Sequence, residues 1–177
     1  MTKGEGIFFW IAVAFYIGSV FFYIAGAIFR KERWCGLATG ITLAAFTAHT
    51  TAIVVRWISA GHPPIMRNYE NALAGSWLII LIFLLLVWRF RSFAIIGASI
   101  VPIILLMLGY GIMNFPKLEP LTPQYQNIWL YVHVIFAWFA YGAYVIAFGL
   151  AVLFLLKERK DREYSAGCGD PALQGAS

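Results

Sequence analysis

The chain has 177 residues, 62% of them apolar and only 12% charged. That is far more apolar surface than a water-soluble domain of this size can bury, so the sequence reads as an integral membrane protein. The net charge of +5 lies in short clusters between apolar runs, which argues against nucleic acid as a partner and assigns the clusters to membrane topology.

Several runs reach or approach the ~20 residues that cross a hydrocarbon core as helix, and no ~10-residue alternating strands occur. The expected fold class is all-α, a polytopic membrane protein with about five transmembrane helices in contact with lipid. Helix 1 is expected over Ile7 to Phe29, too long for a signal-peptide core and without an Ala-x-Ala exit, so it reads as a retained span. Arg30-Lys31-Glu32-Arg33 stops it, and helix 2 follows from Cys35 to Trp57. Ile58 to Asn68 is a polar stretch whose Pro63 and Pro64 block helix.

Asn68 is the expected N-cap of helix 3, with Glu70 in the first turn favoured by the helix dipole. Helix 3 runs from Tyr69 to Trp88 and stops at Arg89-Phe90-Arg91. Helix 4, Phe93 to Met113, carries Gly97, Pro102, Gly109 and Gly111, so a kink near Pro102 and close packing are expected. Asn114 to Asn127, with three prolines, is the longest connection. Helix 5, Ile128 to Leu156, is long enough to tilt or to project past the bilayer. Residues 1–163 are expected to form one five-helix domain, and residues 164–177 a disordered tail.

Nine Lys and Arg fall on one side of this arrangement (Arg30, Lys31, Arg33, Arg89, Arg91, Lys157, Arg159, Lys160, Arg162) and four on the other (Lys3, Arg56, Arg67, Lys117). The heavier side is cytoplasmic by the positive-inside rule, which puts the N-terminus outside and the C-terminus inside. Cys35 and Cys168 then both face a reducing compartment, and neither has the spacing of a zinc site or a disulfide framework.

There is no Gly-rich phosphate loop, no Ser/His/Asp set and no intramembrane carboxylate pair to suggest hydrolase or transferase chemistry. Three histidines, external arginines and many aromatic residues remain. Those are the parts of a haem site: imidazole for iron, arginine for propionates, aromatics for the macrocycle. His133 lies a little over one turn inside helix 5, with Trp129 one turn outward and Phe136 and Ala137 one turn inward. It reads either as an axial ligand or as a histidine donating to a carbonyl on a neighbouring helix. His49, among Thr47, Thr50 and Thr51, shares a face with Arg56 about 10 Å along the axis. That spacing suits iron and a propionate, and equally a threonine-satisfied packing histidine with a snorkelling arginine. His62 reads as a solvated loop residue or a ligand, and Arg67 as a propionate partner or one half of a local pair with Glu70.

Two stretches resemble the CcsA/ResC family of cytochrome c assembly proteins, the haem-handling membrane component of the system II maturation pathway. The first is Arg56-Trp57, Gly61-His62-Pro63 and Asn68-Tyr69-Glu70, leading into Ser76-Trp77. The second is Trp129-Leu130, His133-Val134 and Ala140-Tyr141. The similarity covers about residues 40 to 160 in matching order. It implies that His133 is an external axial ligand to haem b, bound transiently; it assigns His49 and His62 to no particular family ligand, and both stay among the candidate haem-binding residues with Arg56, Arg67 and Trp129. Family members continue into a tryptophan-rich segment and a second external histidine, neither of which follows here, so the chain reads as a front half, from a split gene or a truncation.

The resemblance implies a subunit of a haem lyase type complex in the bacterial cytoplasmic membrane. Its partners would be apocytochrome c and either a tryptophan-rich second half of a CcsA-like protein or a CcsB/ResB-like subunit. A non-catalytic haem-binding or scaffold subunit and, from a third class, a small-solute transporter are the alternatives. The transporter predicts paired inverted halves and broken helices.

Overall fold

A computed structural model describes residues 1–29, 31–114, 118, 123 and 127–167, with the backbone alone for residues 160 and 163–167. The described residues form five α-helices: α1 (Lys3–Phe29), α2 (Glu32–Ala60), α3 (Asn68–Arg89), α4 (Gly97–Met113) and α5 (Ile128–Gly167), with a 3₁₀ turn, Arg91–Ile96, leading into α4. Each of the five spans is long and apolar enough to cross a membrane, and no strand occurs among the described residues. The all-α, five-span expectation is borne out.

The α1/α2 pair explains why the sequence shows little amphipathic pattern. The buried positions of α1 are Glu5, Phe9, Ala12, Tyr16, Ser19, Tyr23 and Gly26, and those of α2 include Cys35, Ala38, Thr42, Ala45, His49, Ala52 and Arg56. Both sets alternate steps of three and four, the spacing of a coiled-coil seam. The seam is built of small and polar side chains, while Leu37, Leu43, Val54, Phe15 and Phe21 point outward. In lipid that inversion is favourable, because small residues let backbones approach and polar ones find partners only inside. Tyr23 bridges the seam, its hydroxyl bonded to Thr39 (3.1 Å) and accepting from Thr42 (3.4 Å).

α2 ends at Gly61, which takes the left-handed conformation (φ 73°) and returns its N–H to the Trp57 carbonyl at 2.9 Å. Glycine adopts that conformation without strain, so the chain turns there. α3 begins at Asn68 itself, with Arg67 in the N-cap position, one residue earlier than expected.

Pro102 sits within α4, and the change from 3₁₀ to α geometry falls between Ile96 and Gly97. Gly97 is needed there for room, since a Cβ on it would lie 2.5–2.7 Å from the Tyr23 ring.

α3 is the centre of the bundle, with 56% of its apolar window buried, against 11% for α5. α5 lies on the outside and is seated through glycine: a Cβ at Gly142 would meet Ile82 at 2.9 Å, and one at Gly149 would meet Ile96 at 2.6 Å. Most of its apolar side chains, Phe148 and Phe154 among them, are left exposed to lipid or to another chain. The helix continues past the expected Leu156 to Gly167. Residues 164–167, expected in the disordered tail, are thus helical; the rest of that tail, residues 168–177, and most of the Asn114 to Asn127 connection lie outside the described residues.

Candidate functional site

His49 is buried between α1, α2 and α3 with both ring nitrogens engaged. Nε2 lies 3.0 Å from the Leu73 carbonyl and Nδ1 3.3 Å from the Tyr16 hydroxyl. The carbonyl can only accept, so Nε2 carries the proton and Nδ1 accepts from Tyr16. Neither nitrogen is left for a metal, and the structure places His49 as a packing histidine. The threonines beside it turn elsewhere: Thr50 bonds the Phe46 carbonyl at 2.7 Å and accepts from the Trp77 indole at 2.8 Å.

Arg56 does share the inward face of α2 with His49, but it is fully buried between two carboxylates and does not snorkel. Its Nε and Nη2 lie 3.1 and 2.9 Å from Glu70 Oε1, and Nη1 lies 3.5 Å from Glu5 Oε1. The guanidinium also stands 5.2 Å from the centre of the Tyr69 ring, within cation–π range. A guanidinium so enclosed presents nothing to a propionate.

The sequence reading, which found no carboxylate pair, missed this triad. Glu5 caps α1 in a reciprocal box with Thr2, the Thr2 N–H donating to Glu5 Oε2 at 3.1 Å and the Glu5 N–H donating to Thr2 Oγ1 at 3.2 Å. Glu70 accepts from the backbone N–H of Met66 (2.9 Å) and of Arg67 (3.4 Å). Two helix starts, which favour anions, thus meet one helix end, which favours a cation. The coincidence of these three ends follows from the up-and-down order and was the signal available.

His62, expected to be solvated, is buried, with Nδ1 2.9 Å from the Pro63 carbonyl. Arg67 is half-buried, and its link to Glu70 runs through its backbone N–H. The local pair expected there is instead a long-range one between Glu70 and Arg56.

His133 is the histidine that faces open space. It lies in the second turn of α5, whose first turn is capped by Asn127 Oδ1 accepting from the Trp129 N–H at 3.0 Å. Its ring is exposed and has no hydrogen-bond partner among the described residues. It lines a cleft of about 570 Å³ between α3, α4 and α5. α3 contributes Asn68, Asn71, Gly75 and Ile79, and α4 contributes Ile103, Met107 and Tyr110. From α5 come His133, Ala137, Trp138 and Tyr141.

Ala137 therefore accompanies His133, as the helical spacing predicts. Trp129 and Phe136 do not: they are 74% and 71% exposed and turn to the outside of α5. None of His49, His62, Arg56 and Arg67 lines the cleft. The sequence reading missed Asn71, Tyr110 and Trp138. A pairing of helix faces across long separations brings them together, and no local pattern encodes it.

Residues 65–170 match the family described as cytochrome C assembly protein. The chain belongs to that family. The match takes in α3, α4 and α5, the three helices that wall the cleft. The cytochrome c biogenesis protein CcsA of Trieres chinensis is 32% identical over 105 residues, covering 57% of this chain and 33% of that protein. CcsA of Guillardia theta is 28% identical over 143 residues, 78% of this chain and 47% of the relative. CcsA of Gloeobacter violaceus is 24% identical over 168 residues, 93% and 47% of the two chains. The chain thus spans a third to a half of the length of the curated relatives it matches. No solved structure matches it.

Proposed function

We propose that this cytochrome c assembly protein binds haem b transiently in the α3/α4/α5 cleft, through His133, and presents it at the external membrane face for attachment to apocytochrome c. The observation that carries the reading is the contrast between histidines. The His133 imidazole, unengaged among the described residues, lines an apolar cleft, whereas both nitrogens of His49 are committed to Tyr16 and Leu73. A ligand histidine needs a free nitrogen, and an imidazole without a partner at the edge of lipid is costly unless it serves a site.

The residues present suit the group. The cleft's volume of about 570 Å³ falls within the ~300–1,000 Å³ usual for cofactor sites. Ile79, Ile103, Met107 and Trp138 supply apolar and aromatic walls for a macrocycle. Bound haem would supply vinyl groups for thioether formation with the apocytochrome's thiols. The His133 imidazole would hold the iron, and Ile79, Ile103, Met107 and Trp138 would exclude water from the cleft.

Orientation belongs to the same proposal. Lys31, Arg33, Arg89, Arg91 and the Lys157 to Arg162 cluster gather at one end of the helices, and that end faces the cytoplasm. His133 then lies near the external face, where apocytochrome c would meet the haem and a tryptophan-rich partner would supply the further iron ligand.

The test is a pyridine haemochrome assay with a reduced-minus-oxidised spectrum on the detergent-purified chain, alone and co-expressed with a tryptophan-rich partner. His133→Ala is expected to lose the b-type signal in whichever preparation carries it, with membrane insertion unchanged. Undiminished haem in that variant would refute the ligand assignment. Restored cytochrome c maturation in a strain lacking the equivalent protein separates an assembly subunit from a haem-binding scaffold.

A further inference from the structure

The cleft is polar at one end and apolar at the other. Asn68 and Asn71 lie in the first turn of α3, Tyr110 in the last turn of α4, and His133 near the start of α5. α3 and α5 start at the same end of the bundle, where α4 finishes, so these four side chains rim one mouth. Ile79, Ile103, Ala137 and Trp138 line the deeper part. Such a gradient fits a ligand with an apolar body and polar groups along one edge.

Among the described residues the rim carries no cation: no Lys or Arg lines the cleft, and Arg56 is enclosed by Glu5 and Glu70. What it carries is amide. Asn68 Nδ2 donates to Asn114 Oδ1 at 3.3 Å, and Asn114 Nδ2 donates to the Tyr110 carbonyl at 2.7 Å, tying the start of α3 to the end of α4. Next to that chain, the half-buried Asn71 side chain has no hydrogen-bond partner among the described residues. Its amide offers two N–H donors at the positive end of a helix, where an anionic acceptor is favoured.

We propose that Asn71, assisted by Asn68, donates hydrogen bonds to the carboxylates of the cleft's ligand, so that neutral amides recognise the ligand's acidic edge. This rests on the haem reading above, under which the carboxylates are the propionates. An amide donating to an ionised carboxylate makes a charge-assisted bond, yet it lacks the bidentate ionic grip of arginine. The cleft then fixes which edge of the ligand faces the mouth without holding it too tightly to pass on.

The full-length chain in lipid nanodiscs is titrated with haem and with haem dimethyl ester, whose propionates are neutral, and binding is followed at the Soret band. The wild type is expected to bind the ester about tenfold more weakly, and Asn71→Leu to lose about tenfold for haem with little change for the ester. Asn71→Ser repeats the comparison if the leucine variant unfolds. Equal binding of both probes, abolished by His133→Ala, overturns the amide assignment and leaves the haem reading standing. Discrimination that survives in both Asn71→Leu and Asn68→Leu also overturns it. Binding of neither probe, by the chain alone and by the chain co-expressed with the tryptophan-rich partner, overturns the haem reading and this inference together.

Discussion

Glu5 and Glu70 hold equivalent positions in α1 and α3: each sits in its helix's first turn, returns Oε2 to backbone N–H groups before it and turns Oε1 to Arg56. Two caps and an ion pair are thereby made by the same two side chains. Removing the central cation leaves two carboxylates buried and facing each other. Arg56→Met is expected to lower stability by about 3–5 kcal/mol, the usual cost of breaking a buried pair from one side. Glu70→Gln should cost more than Glu5→Gln, because Glu70 takes contacts at 2.9 and 3.1 Å and Glu5 one at 3.5 Å. Thermal unfolding in detergent gives the ranking, and a well-tolerated Arg56→Met would mean the triad is not formed.

His49 and His133 should separate stability from ligand binding. His49→Phe strands the Tyr16 hydroxyl, a loss of about 1–3 kcal/mol for a polar group left unsatisfied in the interior, while the Leu73 carbonyl keeps its Ser76 donor. Haem per folded molecule is expected to stay at the wild-type level. His133→Ala should do the reverse, since its ring makes no hydrogen bond among the described residues. Measuring melting temperature and haem content on both variants decides the matter. A His49→Phe protein that melts normally yet has lost haem would transfer the ligand role to His49.

Two glycines toward the same end of the bundle tolerate a side chain unequally. A Cβ at Gly97 would sit within 2.7 Å of the Tyr23 ring, whereas one at Gly40 meets nothing within 4 Å. Gly97→Ala must push Tyr23 off Thr39 and Thr42 and is expected to destabilise by about 1–3 kcal/mol. Gly40→Ala, on an exposed helical position, should raise stability by about 0.5–1 kcal/mol. Equal melting temperatures for the two variants would show that α4 does not approach Tyr23 as described.

How much of this was legible follows from what each feature depends on. The five spans depend on composition and length, and the sequence carries both. Break points such as Gly61 and the first turn of α3 depend on local chemistry and fell within a residue or a few of expectation. The need for glycine at position 97 was hidden for a different reason: Tyr23, which takes the room beside it, lies far away in sequence. Arg56 read as a surface cation because its carboxylate partners lie 51 and 14 residues away. The buried seam of α1 and α2 was hidden because membrane helices invert the soluble pattern, with small and polar residues inward. His133 was legible as a candidate by its depth and its resemblance, but Asn71 and Tyr110 beside it depend on how three helices meet.

The cleft itself can be filled without touching the imidazole. Gly75 lies on the α3 wall one turn below Asn71, and a Cβ there would meet Trp138 at 3.5 Å, an ordinary contact. Gly75→Ala should therefore fold normally and keep its haem. A larger side chain has nowhere to go but into the space of about 570 Å³ between α3 and α5. Because that space is open to one side, Gly75→Phe fills it without compressing the core, so overpacking should cost no more than about 1 kcal/mol. Haem retention is expected to fall at least tenfold while His133 remains in place, as read by the Soret band and the melting temperature of the same preparation. Full haem binding in a folded Gly75→Phe protein would mean that His133 serves a ligand held outside this cleft, on the exposed face of α5 that carries Trp129 and Phe136.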